Sequence, residues 1–546
     1  MRIFFYSPVH FEQWDWRNSI ERGIGGSETS HVEMAWRLAR RGHEVISYGP
    51  VPKDVPTPWR GVQWRPVREA RFSAPGLWIL YRCPTILDRF GPRRADQPRW
   101  VVCQDEDYPG QWSMARAMKV DRVLALCETH RAHLVAHHPE LDGVACVTGN
   151  GVKMELIREV EATDVPARNP NRLMWASSPD RGLLYALRTF RRAREFNPDL
   201  ELHGFYGLDN IDKLIKFKPA YSYYKPFREE FLRELDQPGV TWHGRVDQPT
   251  LYREWLKTGL WCYQTNFRET SSITSMEAQA LGAVPIYNPI WALKHNVMAG
   301  LMLRGDAYGD PLVRARYVNA MVSLSRNPAL QDQIRGPMMA NARTRFNWER
   351  VVDQWEAWLR GEEDTQGAIA QFAFQVQHAR GRVLNVGSDN DFAGIRARFH
   401  GVNLDIRAEN PITGAPTGAN IVADFRTYKV RPEFDTVILG DILEHMGHRD
   451  QLRMLRNAVR ALAPGGQVIV TLPEEDGREP TAQHAGSAGT EEYAPGISAF
   501  HLRRITREDL DGLFNAVGLQ LVIHQVIDYT AFVGHGAVGI PKEAAL

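Results

Sequence analysis

The chain has 546 residues, which at the usual domain size makes about three to four domains, and its composition is that of a soluble globular protein, 43% apolar and 24% charged. A net formal charge of +1 gives no whole-chain signature for nucleic acid, although a local basic patch stays open, and no run of about eighteen apolar residues offers a membrane span. The scattered Cys83, Cys103, Cys127, Cys146 and Cys262 form no CxxC pair and fit buried free thiols in a reducing compartment, so a cytoplasmic protein without a zinc or disulfide framework is expected.

MRIFFYSPVHF has no leader-like apolar core and reads as a first buried strand over residues 2–6. Residues 23–49 continue as a Gly-rich turn, a helix to Arg41 with His31, Met34, Ala35 and Leu38 on one face, a stop at Gly42, and a strand over 44–48. Gly25 and Gly26 permit close backbone approach, and Ser27 or Thr29 can cap the helix. A strand, Gly loop, helix, strand unit of this kind offers backbone donors to a diphosphate, although a plain tight turn reads the same way.

Further strands are expected at 77–83, 100–104 and 120–127. The second of them ends in Gln104-Asp105-Glu106-Asp107, on the ligand-binding rim of a parallel sheet or in a solvated acidic loop. Gly149-Asn150-Gly151-Val152 follows, and from about residue 165 a second α/β domain begins. It holds the strand and hydroxyl-rich turn of 172–183, with Ser177, Ser178 and Arg181-Gly182, then strands at 200–207 and near 240, and Gly244-Arg245-Val246.

The most informative stretch is 266–286, NFRETSSITSMEAQALGAVPI. Glu269 and Glu277 stand there with seven residues between them, and Ile273, Met276, Ala280 and Leu281 draw one buried helical stripe. A helix that opens with Thr270, Ser271 and Ser272 aims unpaired N–H groups and the positive end of its dipole at whatever lies ahead of it, which suits a phosphate. Gly282 ends the helix and a strand resumes at 284–286.

These motifs resemble the E-x7-E family of retaining glycosyltransferases with the GT-B fold, which also carries a GGSE-like turn near its N-terminus, an NGV at the domain junction and a G-R-V loop near the base pocket. The resemblance implies a nucleoside diphosphate sugar donor held by Gly25, Gly26, Ser177, Ser178, Arg181, Gly244, Arg245, Glu269, Thr270, Ser271, Ser272 and Glu277, with Arg181 and Glu269 nearest the chemistry. It implies no required metal, because helix dipoles and Arg181 stabilise the departing diphosphate. Two departures stand out: Ala176 replaces the first residue of the family's basic pair, and Gln104 stands where relatives often have a histidine, which leaves Asp105 as the acceptor-side candidate. The aromatic helix at 346–360 reads as core packing, and in relatives it crosses back to the first domain.

Residues 361–367, GEEDTQG, read as a linker. The later succession RVLNVGSDND, VNLDI, IVADF, FDTVILGDILEHM and LAPGG resembles the class I S-adenosylmethionine-dependent methyltransferases. That resemblance implies S-adenosylmethionine at Asn385, Gly387, Asp405, Asp424 and Asp441, with Asp405 on the ribose and Asp424 on the adenine. The first motif departs from the family: Asn385 replaces an acid, and Asp389 and Asp391 stand at two glycine places. Residues 477–496 read as a long loop, either a lid over the methyl acceptor or disorder.

The expected architecture is α/β throughout: a GT-B N-terminal domain at 1–165, a donor domain at 166–360 and a third Rossmann-like domain at 368–546. The expected function is glycosyl transfer joined to methyl transfer in glycan or glycoconjugate synthesis. A non-catalytic C-terminal docking module, a nucleotide-binding protein or epimerase on the same scaffold, and nucleic acid as glycosyl acceptor remain as alternatives.

Overall fold

The computed structural model describes residues 1–8, 13–208, 211–212, 215–216, 224–361, 374–375, 378–387, 401–406, 419–440, 442–443, 446–474, 492–494, 497–498, 505, 507–528 and 533–541. The chain divides into two compact units, Met1–Glu362 and Glu363–Leu546.

The first unit contains two parallel sheets. One comprises β1 (Arg2–Tyr6), β2 (Glu44–Gly49), β3 (Val62–Pro66), β4 (Leu77–Tyr81), β5 (Arg99–Val102), β6 (Arg122–Ala125) and β7 (Ala145–Val147), in the order β3-β2-β1-β4-β5-β6-β7. The other comprises β8 (Asn169–Trp175), β9 (Glu201–Gly204), β10 (Val240–Trp242), β11 (Thr258–Tyr263), β12 (Val284–Tyr287) and β13 (Leu301–Met302), in the order β10-β9-β8-β11-β12-β13. Strands such as LWILY and TGLWCY are buried along their whole length, as expected where helices cover both faces of a parallel sheet. In each sheet the strand order reverses once, between β1 and β4 and between β8 and β11. Crevices form at such reversals, at the carboxyl ends of the strands.

Helix Gly26–Arg40 follows β1 and packs Val32, Met34, Ala35 and Leu38 into the first core. Gly25 occupies its N-cap position, and no side chain caps it, so neither Ser27 nor Thr29 has the expected role. Helix Ile273–Ala280 opens at the last of the three expected hydroxyl residues: Ser272 is its N-cap, and Thr270 and Ser271 lie ahead of the first turn. It ends as expected. Gly282 takes φ +90°, and the N–H of Ala283 reaches back to the carbonyl of Ala278 at 2.8 Å.

Helix Trp348–Leu359 returns to the first sheet. Trp348, Val351, Val352, Trp355 and Trp358 join the core around Ile3, Val32 and Trp100, with Trp355 and Trp358 edge-on to Trp100 at 5.7 and 5.9 Å. The aromatic spacing is therefore packing, and two Rossmann-like domains closed by a crossing-back helix make the GT-B fold.

The second unit has a sheet of β14 (Val383–Val386), β15 (Val402–Asp405), β16 (Ile421–Val422), β17 (Phe434–Gly440), β18 (Leu462–Glu474), β21 (Leu519–Asp528) and β22 (Val533–Pro541), in the order β16-β15-β14-β17-β18-β22-β21. The first five run parallel, and β22 runs against both β18 and β21. Helix His448–Ala461 covers it through Met454, Leu455, Ala458 and Ala461. This is a third Rossmann-like α/β domain of the class I methyltransferase type. Most of the expected loop at 477–496 lies outside the described residues, and its end pairs β19 (Glu492–Ala494) with β20 (Ile497–Ser498).

Candidate functional site

A cleft of about 530 Å³ lies in the first unit where the two crevices meet. From the first sheet it is lined by the turn after β1 with Gly25 and Gly26, by Arg82 after β4, and by Gln104, Asp105 and Glu106 after β5. From the second sheet come Ser177, Ser178 and Arg181 after β8, Arg245 and Gln248 after β10, and the run from Phe267 to Thr274 with Glu277 after β11. Every expected donor residue thus lines one cleft except Gly244, which shapes the turn before Arg245 with φ +68°.

At the centre, Arg181 Nη1 donates to both carboxylate oxygens of Glu269, at 2.8 and 2.9 Å, and the Tyr263 hydroxyl donates to Oε1 at 2.6 Å. Glu269 is 3% exposed, and these bonds engage both of its buried oxygens. Burial works against the Arg181 charge, but Glu269 and the neighbouring Tyr263, Tyr206 and Asp180 raise its pKa above the ordinary guanidinium value. The guanidinium also lies 4.5 Å from the Phe267 ring centroid. Gly182, next in sequence, has φ +120°, and an added Cβ would come within 2.3 Å of the Gln264 carbonyl oxygen. Only glycine fits there, at the junction between the short turn Pro179–Arg181 and the helix Leu183–Arg194.

Glu277 sits a turn into the helix capped by Ser272, whose Oγ accepts from the Ser275 N–H at 3.3 Å. Burial raises the Glu277 pKa to about 7, against the opposing effects of the Tyr252 hydroxyl, which donates to it at 3.0 Å, and of Lys153. Among the described residues, Gln104 Nε2, Asn150 Oδ1, Gln248 Oε1 and Ser271 Oγ belong to cleft-lining residues and are buried without a hydrogen-bond partner. Buried polar groups are rarely left so, and a bound polar ligand would satisfy them.

Asp105, the residue expected on the acceptor side, is clasped by Arg82, whose Nε and Nη2 donate to the two carboxylate oxygens at 2.9 and 2.7 Å. Arg82 was not among the sequence candidates, and it adopts φ +58°, an uncommon conformation for a non-glycine residue. The available signal was a cation one place beyond a wholly apolar strand, at its carboxyl end. The departure at Ala176 holds as sequence: its carbonyl accepts from the Thr274 hydroxyl at 3.4 Å, and the cleft gains cations from Arg82, Arg245 and Arg268 instead.

In the second unit, Asn385 lies within β14 beside β15, and Gly387 follows the last residue of the strand. Asn385 Nδ2 donates to Asn403 Oδ1 at 3.3 Å, and the Gly387 N–H donates to the Leu404 carbonyl at 2.9 Å, so Gly387 and Asp405 lie together at the carboxyl ends of adjacent strands. Gly387 has φ +73°, and the nearest atoms to an added Cβ stand 3.4 Å away. Asp424 is held by Arg426, with Nη2 donating at 2.7 Å and the backbone N–H at 2.9 Å. Asp389, Asp391 and Asp441 lie outside the described residues.

Residues 359–524 match the model of a family described as a methyltransferase domain. A search of curated proteins finds no match. Among solved structures, the chain is similar to sucrose-phosphate synthase from Thermosynechococcus elongatus, at 14% identity and a TM-score of 0.48 over 66% of this chain and 98% of that one. It is also similar to HepE of Anabaena, solved with UDP and glucose, at 13% identity and a TM-score of 0.41 over 66% and 100%. A third is a Burkholderia thailandensis 1,6-didemethyltoxoflavin-N1-methyltransferase with bound S-adenosylhomocysteine, at 13% identity and a TM-score of 0.25 over 34% and 84%. The family match falls on the C-terminal part of the chain, and the first unit has the GT-B fold by its own two sheets and returning helix.

Proposed function

We propose that the first unit, with domains at 1–165 and 166–360, transfers a sugar from a nucleoside diphosphate donor with retention of configuration, and that the domain at 368–546 is an S-adenosylmethionine-dependent methyltransferase. The observation that carries the first half is the meeting of the Arg181–Glu269 pair and the Ser272-capped helix in one cleft between two parallel sheets. Arg181 and the helix N-terminus face the charge that develops on a departing diphosphate, so no metal is required for that step. Glu277 takes ribose hydroxyls, Glu269 orients the sugar, and the leaving phosphate accepts the acceptor's proton on the attacked face. Asp105, fixed by Arg82, lines the acceptor side. The acceptor is a glycan or related hydroxyl compound.

For the second half, S-adenosylmethionine when bound supplies an electrophilic methyl group. Asp405 suits its ribose, and Gly387 allows a close backbone approach. A docking-module reading has its own support, because Asp424 is already committed to Arg426 and Asn385 offers no charge. A thermal-shift screen of the full chain with UDP, GDP, ADP and S-adenosylhomocysteine tests both halves. Stabilisation by one nucleotide and, separately, by S-adenosylhomocysteine is expected. No shift from any nucleotide overturns the transferase reading, and none from S-adenosylhomocysteine leaves the docking module ahead.

A further inference from the structure

Outside the cleft, Asp107, His133 and His137 each bring one ligand atom to within 4.8 Å of the others, and none of them lines the cleft. We propose that they form a binding site for a divalent transition metal of borderline softness, zinc being the type. His133 and His137 are four apart on helix Glu128–His137 and so share one face, with ring centroids 4.0 Å apart. Two imidazoles at this helical spacing plus a carboxylate from another element is a ligand set that suits zinc.

The donor chemistry is prepared on each side. His137 Nδ1 is engaged by the carbonyl of His133 at 2.8 Å, which leaves Nε2 as a lone-pair donor. The ring nitrogens of His133 have no hydrogen-bond partner among the described residues. Asp107 Oδ1 accepts from the Tyr108 N–H and pairs with His138 Nε2, both at 2.7 Å, so a neighbouring group already orients the carboxylate.

The Trp291 ring stands edge-on to His133 at 4.8 Å and shields one side. It adopts φ +49°, a strained conformation for a tryptophan. The nearby Arg268 cation is already paired with Glu106 at 2.6 Å. Ligands about a tetrahedral zinc stand about 3.4 Å apart at the usual bond lengths, so small side-chain rotations bring these three donors to that spacing with water as the fourth ligand, and His137, which is exposed, can make them. A bound metal would tie the segment after β5, which carries Asp105 and Glu106 to the cleft rim, onto helix Glu128–His137. It is a structural clamp, separate from the diphosphate cradle.

The test is titration of the metal-stripped full chain with zinc against a chromophoric chelator. His137→Ala and Asp107→Asn are compared with His243→Ala, which breaks the separate His203–His243 pair, 3.0 Å between ring nitrogens. One equivalent bound at micromolar free zinc is expected, weakened about tenfold or more by His137→Ala and by Asp107→Asn and unchanged by His243→Ala. Cobalt in its place should give visible absorption that the first two variants lose. No binding at micromolar zinc, equal affinity in the two site variants, or loss in His243→Ala would overturn the site. His137 is exposed, so its variant folds, and an unchanged thermal transition without metal verifies this.

Discussion

Glu277 and Glu269 have the same side chain in the same cleft, and their surroundings give them different work. Glu269 has a guanidinium against both oxygens, whereas Glu277 has a tyrosine hydroxyl and a burial penalty that raises its pKa to about 7. The folded chain therefore holds a proton on Glu277 that the unfolded chain releases from about 4.5 upward. Stability from this group is greatest at low pH and falls as pH rises through about 4.5 to 7. Ribose hydroxyls donate to the ionised form, so nucleotide affinity should strengthen as pH rises through about 7, and Glu277→Gln should flatten that dependence. Calorimetry across that range decides it, and an unchanged slope in the variant would remove Glu277 from the ribose. Glu269→Ala should instead lower sugar transfer while nucleotide binding stays within a few-fold. A variant that transfers at the parent rate would contradict the role given to the Arg181 pair.

At the level of elements, the E-x7-E helix was legible because apolar spacing, a hydroxyl cap and a glycine stop agree on one answer. Its exact start was not legible, because three consecutive hydroxyl residues can each cap, and only the fold shows that Ser272 does. Arg82 was hidden for another reason. Its importance lies in a positive φ and a clasp on Asp105, and neither leaves a pattern in sequence. The helix Trp348–Leu359 was readable from its aromatic period. Trp355 is 1% exposed and also donates from Nε1 to Thr148 Oγ1 at 2.8 Å, so Trp355→Ala should cost about 3–5 kcal/mol of stability. Denaturant unfolding of the first unit measures this, and a loss below about 1 kcal/mol would mean that the helix is not part of that core.

On the scale of the whole molecule, three sheets were legible because each repeats buried strands separated by helices, and the polar run at 361–367 interrupts that rhythm once. The expected cofactor site of the second unit was less legible, since Asp389 and Asp391 stand at two places where the resembled family has glycines. The two units each own a core, so proteolysis near residues 361–367 should release two pieces that keep separate cooperative transitions. Precipitation of the 1–360 piece would argue against that division. The central claim is a nucleotide donor in the cleft, and calorimetric titration of the full chain and its Glu277→Ala variant with UDP, GDP and ADP tests it most directly. One nucleotide should bind saturably, and the variant should lose about 1.5–3 kcal/mol, roughly ten- to more than a hundredfold in affinity. No binding by any of the three at millimolar concentration, or equal binding by the variant, would contradict it.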